Sequence, residues 1–282
     1  MKINRLIIVL AFLCLISETT SARGKNTDSP FFFVQLADPQ LGFSGNKNGV
    51  FEETAPYEKA VAAINKLGPD FVVITGDLVN DRKDKVQLST FKEITGKINS
   101  KIPVYYTPGN HDIGNTPTTK DIDTFISEYG HEKFAFKHNK SVFIGFNSCI
   151  IKANTPEMEL AQFDWLKEEI ERSKKAEHII LFCHHPFFVK TADEAELYFN
   201  IPVEIRNKYI SMFAENGVNA IFAGHLHNNA IAKYKNMDVI TTSAVGKPLG
   251  EAPSGIRIVK VYPDHIESNY YSVNEIPETI TF

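Results

Sequence analysis

Five short stretches of this chain are rich in metal-ligand residue types. They are Asp38-Pro39-Gln40, Gly76-Asp77, Gly109-Asn110-His111-Asp112, His184-His185-Pro186 and Gly224-His225-Leu226-His227. Carboxylate, amide and imidazole without thiolate suit harder cations such as Mn, Fe, Zn or Mg, and not a structural zinc. The donors are numerous enough for two ions that share a bridging carboxylate. In extended backbone, residues two apart point the same way, so His225 and His227 are expected to face one point, as are Asp38 and Gln40. The glycines before Asp77, Asn110 and His225 are expected to allow tight bends. Each stretch alone has an ordinary explanation: Gly-Asp and Gly-Asn-His-Asp are turn chemistry, and Asp38 alone reads as a helix cap. A single His-x-His on a strand edge is more often solvated than ligating. Recurrence at five places favours a site. Five of the nine histidines lie in these stretches. His131, His138, His178 and His265 read as surface or packing residues.

Each stretch follows an apolar run: FFFVQLA (31–37), FVVIT (71–75), IPVYYT (102–107), HIILFC (178–183) and NAIFA (219–223). Such short runs bounded by Gly, Pro or polar residues read as buried strands. If they lie side by side in one direction, all five stretches collect on one rim, where open α/β sheets place their sites. Between them, APYEKAVAAINKLG, residues near 84–99, TTKDIDTFISEYG, residues 157–175 and VEIRNKYISMFAENG carry helical spacing, with Gly68, Gly130 and Gly217 as stops. Leu160, Phe163, Leu166 and Ile170 set the buried face of the clearest helix. KFAFKH and SVFIGFNSC read as a hairpin. After Gly224 the chain reads as strand after strand, in the manner of a meander. The predicted class is mixed α/β, with two mixed sheets face to face and helices outside.

With 282 residues, 43% apolar and 23% charged, the chain reads as globular, and a net charge of −4 makes nucleic acid a poor partner. Residues 1–22 combine Lys2 and Arg5, an apolar stretch from Leu6 to Ile16, and small polar residues ending in Ala22. That layout predicts a cleaved secretory signal peptide and an exported protein, periplasmic or extracellular. Cys14 raises a lipoprotein alternative, which the bulky Leu13 before it disfavours. Residues 23–282 then form a single domain with no further membrane span. Cys149 and Cys183 are expected at strand ends as buried free thiols, with a disulfide as the alternative.

In the order "DPQ … GD … GNHD … HHP … GHLH", the motifs resemble those of the calcineurin-like metallophosphoesterases. The resemblance spans residues 38–227 and implies a four-layer αββα sandwich with a binuclear metal centre. It implies that Asp38 and His227 bind a first ion, that Asp77 bridges, and that Asn110, His184 and His225 bind a second. It implies that His111 faces the phosphate, that Asp112 orients His111, and that His185 stands behind the ligands. Much of the family has Asp-x-His in the first motif, where this chain has Gln40. The amide oxygen either ligates the first ion or holds a water bound to it. The first motif, with SAVGKPLGEAPSG (243–255), resembles the branch of serine/threonine phosphatases with a calcineurin-like phosphoesterase domain. The segment GDLVNDR departs from the Gly-Asp-x-Val-Asp-Arg of classical protein phosphatases, so their arginine clamp does not transfer to Arg82.

The expected function is hydrolysis of phosphomonoesters by a metal-bridged hydroxide, on a small phosphoester or a phosphoprotein. A phosphodiesterase with the same ligands, or a phosphate-binding protein with a degenerate metal site, are the alternatives. Segments 42–55, 186–200 and 244–255 are candidates to line the cleft. Lys247 there reads either as a phosphate contact or as a solvated lysine, and Phe187 and Phe188 read as core.

Overall fold

Apolar runs and periodic segments fold in the expected order. The computed structural model describes residues 29–47 and 50–282, so the expected signal peptide at 1–22 lies outside the described residues. The first half holds β1 (Phe31–Leu36), β2 (Asn46–Lys47), β3 (Val50–Phe51), α1 (Thr54–Leu67), β4 (Val72–Thr75), α2 (Lys85–Thr95), β5 (Val104–Thr107), α3 (Asn110–Ile113) and α4 (Thr119–Tyr129). Next come β6 (Phe134–His138), β7 (Ser141–Gly145), α5 (Ser148–Lys152), α6 (Pro156–Arg172), β8 (His178–Phe182) and α7 (Val203–Glu215). The chain finishes with β9 (Ala220–Ala223), β10 (Ala230–Tyr234), β11 (Met237–Thr241), β12 (Gly255–Val261) and β13 (Ile266–Ser272).

One sheet has the order β13-β12-β1-β4-β5, in which β1, β4 and β5 are parallel. The other has the order β10-β11-β9-β8-β7-β6, in which β7, β8, β9 and β11 are parallel and the two edge strands antiparallel. Alternation along β1 separates the layers. Phe31 and Phe33 enter a cluster between the sheets with Phe71, Phe143, Phe182 and Phe222. Phe32, Val34 and Leu36 pack in a second cluster with Tyr57 and Ile64 of α1 and Phe91 and Ile94 of α2. Leu166 and Ile170 of α6, with Tyr209 and Phe213 of α7, cover Ile179, Leu181 and Ile221 on the outer face of the second sheet. The layers are therefore αββα. Both faces of the central strands are buried, which is why they read as continuous apolar runs. Phe33 clamps the two sheets: it stacks on Phe71 at 5.0 Å and meets Phe143, Phe182 and Phe222 edge-on. Full burial of one such side chain stabilises by about 1.5–3 kcal/mol.

Three expectations give way. The strand beginning at Ser141 stops at Gly145, and Cys149 lies in helix α5, capped by the Asn147 side chain, which accepts from the Cys149 N–H. Local side-chain capping by Asn competes with continued strand pairing. Leu160 is 55% exposed, while Gln162 is buried on α6, donating to the Asn147 carbonyl and accepting from the Asn147 N–H. A polar residue takes the inward place because it serves the cap. The C-terminal strands are not one meander: hairpin β10–β11 joins the second sheet and hairpin β12–β13 the first.

Candidate metal centre

The five stretches do reach one place, but not from one sheet. Asp38, Asp77 and Asn110 follow β1, β4 and β5 of the first sheet, and His184 and His225 follow β8 and β9 of the second. Gln35, a buried polar residue in the otherwise apolar β1, ties the sheet ends together. Its amide donates to Thr75 Oγ1 at 3.0 Å and to the Ala223 carbonyl at 3.1 Å, and its oxygen accepts from Thr242 Oγ1 at 2.6 Å. Backbone bonds join the loops above it: Gln40 N–H to the Asp77 carbonyl, Gly224 N–H to the His184 carbonyl, and Val245 N–H to the Ala37 carbonyl.

The loops are not extended, and this corrects the reason given for the His-x-His spacing. Asp38, Gln40, Asp77, His225 and His227 all have left-handed backbone, with φ of 49°, 35°, 49°, 65° and 53°. Only three other non-glycine residues among those described, Asn139, Asn154 and Lys235, have positive φ, so the strained backbone is concentrated here. Such strain persists where surrounding structure enforces it, commonly at functional sites. Gly109 and Gly224 serve by leaving room instead of by bending. A Cβ on Gly109 would lie 2.1 Å from Asp77 Oδ1, and one on Gly224 would lie 2.5 Å from Asp38 Oδ2.

His184 is the hub. Its Nδ1 donates to the Thr75 carbonyl at 2.9 Å, which leaves the Nε2 lone pair facing inward. Around that Nε2 stand Asn110 Oδ1 at 3.1 Å, His225 Nδ1 at 3.0 Å and Asp77 Oδ2 at 3.3 Å. Asp38 Oδ1 lies 3.8 Å from His184 Nδ1 and 3.6 Å from His227 Nε2, and its carboxylate accepts from the His225 N–H. Ligand atoms of Asp38, Asp77 and His184 all lie within 4.8 Å of one another, as do those of His184, His185 and His225. Gln40 Oε1 and His225 Nε2 are buried without a hydrogen-bond partner. All these groups are buried by nine-tenths or more, His225 being the most exposed of them at 9%.

Electrostatics follow from crowding acceptors in a dry place. Burial pushes Asp38 up to about 6 against the pull of His227 and His184. Burial acts the same way on Asp77, but His184 outweighs it and holds that carboxyl below the usual range. His184 itself is raised despite burial, chiefly by Asp77. His225 is pushed down to about 3 by burial and by His184. Lone pairs aimed at one another repel unless a positive charge sits among them. A proton on His184 meets that need in the bare protein, and a hard cation meets it better, since carboxylate, imidazole and amide are its donors. The residues therefore fit metal ions, with the unpartnered Gln40 oxygen as a further donor.

The other predicted residues fall as follows. His111 is half-buried; its N–H bonds to Asp77 Oδ1 at 2.9 Å and its Nδ1 to the Asn80 carbonyl at 2.7 Å. Asp112 does not orient His111. Its oxygens accept from the Leu78 and Gly109 N–H groups, fastening the loops after β4 and β5, and burial with the nearby Asp77 raises it to about 7. His185 Nδ1 meets Ser148 Oγ at 3.3 Å, behind the ligands, and its ring is 4.4 Å from that of His225. The Lys247 backbone carbonyl, not its ammonium, enters the site, accepting from His227 Nδ1 at 2.6 Å, while the ammonium lies 3.8 Å from Glu52. Phe187 and Phe188 are core, and Cys149 and Cys183 are free buried thiols. Sequence reasoning missed Gln35 and Asn80, and reached Tyr198 only as part of the segment 186–200. Gln35 was detectable as the lone polar residue in an apolar run; Asn80 acts through its carbonyl, which has no sequence signature.

The family model for calcineurin-like phosphoesterases matches residues 33–229, a span that contains every one of these ligands. The chain belongs to this family. It is thus a metal-dependent phosphoric ester hydrolase. The serine/threonine-protein phosphatase CPPED1 of Rattus norvegicus is 35% identical over 276 residues, which cover 91% of this chain and 88% of that protein. Its Homo sapiens counterpart is 36% identical over 269 residues, 88% and 86% of the two chains. A probable cyclic nucleotide phosphodiesterase of Pseudoalteromonas sp. is 28% identical over 198 residues, 67% of each. Among solved structures, a dimetal phosphatase from Danio rerio superposes with a TM-score of 0.63 at 15% identity, covering 87% of this chain and 97% of that one. A purple acid phosphatase from yellow lupin gives 0.64 at 14% identity, covering 88% and 52%. At such identities the likeness is one of fold. The phosphatase relatives bear out the kinship read from the first motif and from residues 243–255.

Proposed function

We propose that this chain is an exported phosphomonoesterase working with two metal ions. The observation that carries this reading is the gathering of donors around His184 and Asp77: Asn110, His225 and Asp77 stand about His184 Nε2, and Asp38, with His227 3.6 Å from it, lies in one group with Asp77 and His184. Asp38, Gln40 and His227 would hold the first ion and Asn110, His184 and His225 the second, with Asp77 serving both. Ions bound there supply positive charge for the phosphate oxygens and activate water for attack on phosphorus. The protein's part is to keep the donors fixed and dry, which the left-handed loops and the Gln35 network do.

His111 contributes at the substrate. A carbonyl can only accept, so the Asn80 bond commits Nδ1 to donation, and Nε2 can give a proton to a leaving oxygen only from the imidazolium, in which both ring nitrogens carry hydrogen. A proton delivered there is typically worth about 10²–10⁴-fold. The phosphatase relatives match nine-tenths of the chain and the phosphodiesterase relative two-thirds, which supports the monoester reading over the diester one. They also make phosphoserine and phosphothreonine proteins substrates to test beside small phosphoesters. Export is supported by the pattern of residues 1–22, and a mature N-terminus at Arg23 in secreted material tests it.

The deciding assay compares p-nitrophenyl phosphate with its bis-ester on manganese-loaded protein whose metal content is measured. The reading expects faster monoester turnover at two ions per chain. Preference for the bis-ester would support the phosphodiesterase alternative. A single ion with no turnover would mark a binding protein.

A further inference from the structure

Resting on that phosphomonoesterase reading, we propose that Tyr198 is the aromatic wall of the leaving-group pocket. The enzyme then prefers phosphoesters whose leaving group carries a flat ring over those with an aliphatic one. A pocket of about 430 Å³ beside the centre is lined by Asn110, His111, Asn80, Arg82, Lys83 and Tyr198, among others. His111 is placed to meet the leaving oxygen, so this pocket receives the departing group. Every lining side chain but one is an amide, an imidazole or a charge. Tyr198 supplies the single large apolar face, so discrimination by shape between ring and aliphatic chain falls to it.

The ring is built into place. Its centroid lies 5.2 Å from that of His225, yet the residue is 67% exposed, so much of it is open to a ligand. The segment carrying it is pinned on both sides. Lys152 donates to the Leu197 and Asn200 carbonyls, and Asn200 Oδ1 accepts from the Leu197 N–H. Upstream, the Glu194 carboxylate gathers the Val189, Lys190 and Thr191 N–H groups, and the buried Arg206 donates to the Ala192, Glu194 and Ile201 carbonyls. An exposed aromatic on so fixed a loop offers its face with little ordering cost on binding. Arg82, whose guanidinium is also flat, is engaged by Asp121 at 2.9 Å.

The test uses benzyl phosphate and propyl phosphate, two alkyl esters whose leaving alcohols have similar basicity. Their kcat/KM ratio is measured for the metal-loaded full chain and for Tyr198→Ala, Tyr198→Phe and Leu197→Ala. Binding of benzylphosphonate and propylphosphonate is measured in parallel by calorimetry. Aromatic pairing predicts a benzyl preference that Tyr198→Ala reduces by roughly threefold to tenfold, mainly in KM. Tyr198→Phe and Leu197→Ala retain it. An unchanged ratio in Tyr198→Ala overturns the proposal, as does equal loss in Leu197→Ala. Absence of turnover on every ester refutes the phosphomonoesterase reading instead, and the phosphonate pair still decides the ring pocket.

Discussion

Gly109→Ala isolates the close packing that holds the bridging carboxylate. Gly109 has φ of −102°, which alanine adopts freely, so the substitution adds no backbone strain. The new methyl would lie 2.1 Å from Asp77 Oδ1 and 2.3 Å from the Asp77 nitrogen, where ordinary contact begins at 3.4 Å. Asp77 must therefore retreat by about 1 Å, backbone included, or the Gly109 loop must move away with Asn110 and His111. Overpacking of this kind costs about 1–3 kcal/mol of stability. Displacement of a reacting group by about 1 Å costs on the order of 10²-fold in rate. Gly217→Ala is the counterpart: φ is +80° and nothing lies within 4 Å of the added carbon. It strains the backbone by about 1–2 kcal/mol and leaves the centre alone. Steady-state kinetics on p-nitrophenyl phosphate, metal analysis and thermal melts of both variants separate the two effects. Gly109→Ala with wild-type kcat/KM and full metal content would refute the packing argument, as would an equal rate loss in Gly217→Ala.

Further outcomes follow from the same geometry. His111→Ala should keep its metal and lose about 10²–10⁴-fold in kcat; metal loss on elemental analysis would make it a ligand. Gln40→His, by replacing an amide oxygen with imidazole, should tighten the first ion and change the order of metals in a titration; an identical titration would place residue 40 away from that ion. Acidity should oppose loading. In the bare protein His184 and Asp112 have folded values above their unfolded ones, so their contribution is fully present at low pH and is lost as pH rises through the folded values, near 7 for Asp112 and higher for His184. Bound cations replace the His184 proton, so the manganese-induced rise in Tm should grow from about pH 6 to about pH 8. A rise that shrinks across that window contradicts the account.

Much of the centre was legible because ligand chemistry has strict residue types. Asp38, Asp77, Asn110, His184, His225 and His227 all meet where an apolar strand ends. The layers were legible in outline, since doubly buried strands such as FFFVQL admit few other placements. What sequence concealed were choices made by tertiary contact. Strands alike in composition divide between two sheets according to partners far away in the chain. The His-x-His pair converges through left-handed turns, which local propensity disfavours and neighbouring loops impose. Backbone carbonyls at Asn80 and Lys247 aim imidazoles, and any residue has a carbonyl. Asp112 sits beside His111 in sequence but spends both oxygens on backbone N–H groups, and Tyr198 reaches the site from a loop shaped by Glu194 and Arg206.

Anomalous diffraction from crystals grown with manganese tests the central claim most directly. The account predicts two peaks, roughly 3.5–4 Å apart, one against Asp38 and His227, the other against Asn110, His184 and His225, with Asp77 touching both. A lone peak, or a pair that Asp77 does not join, would contradict it.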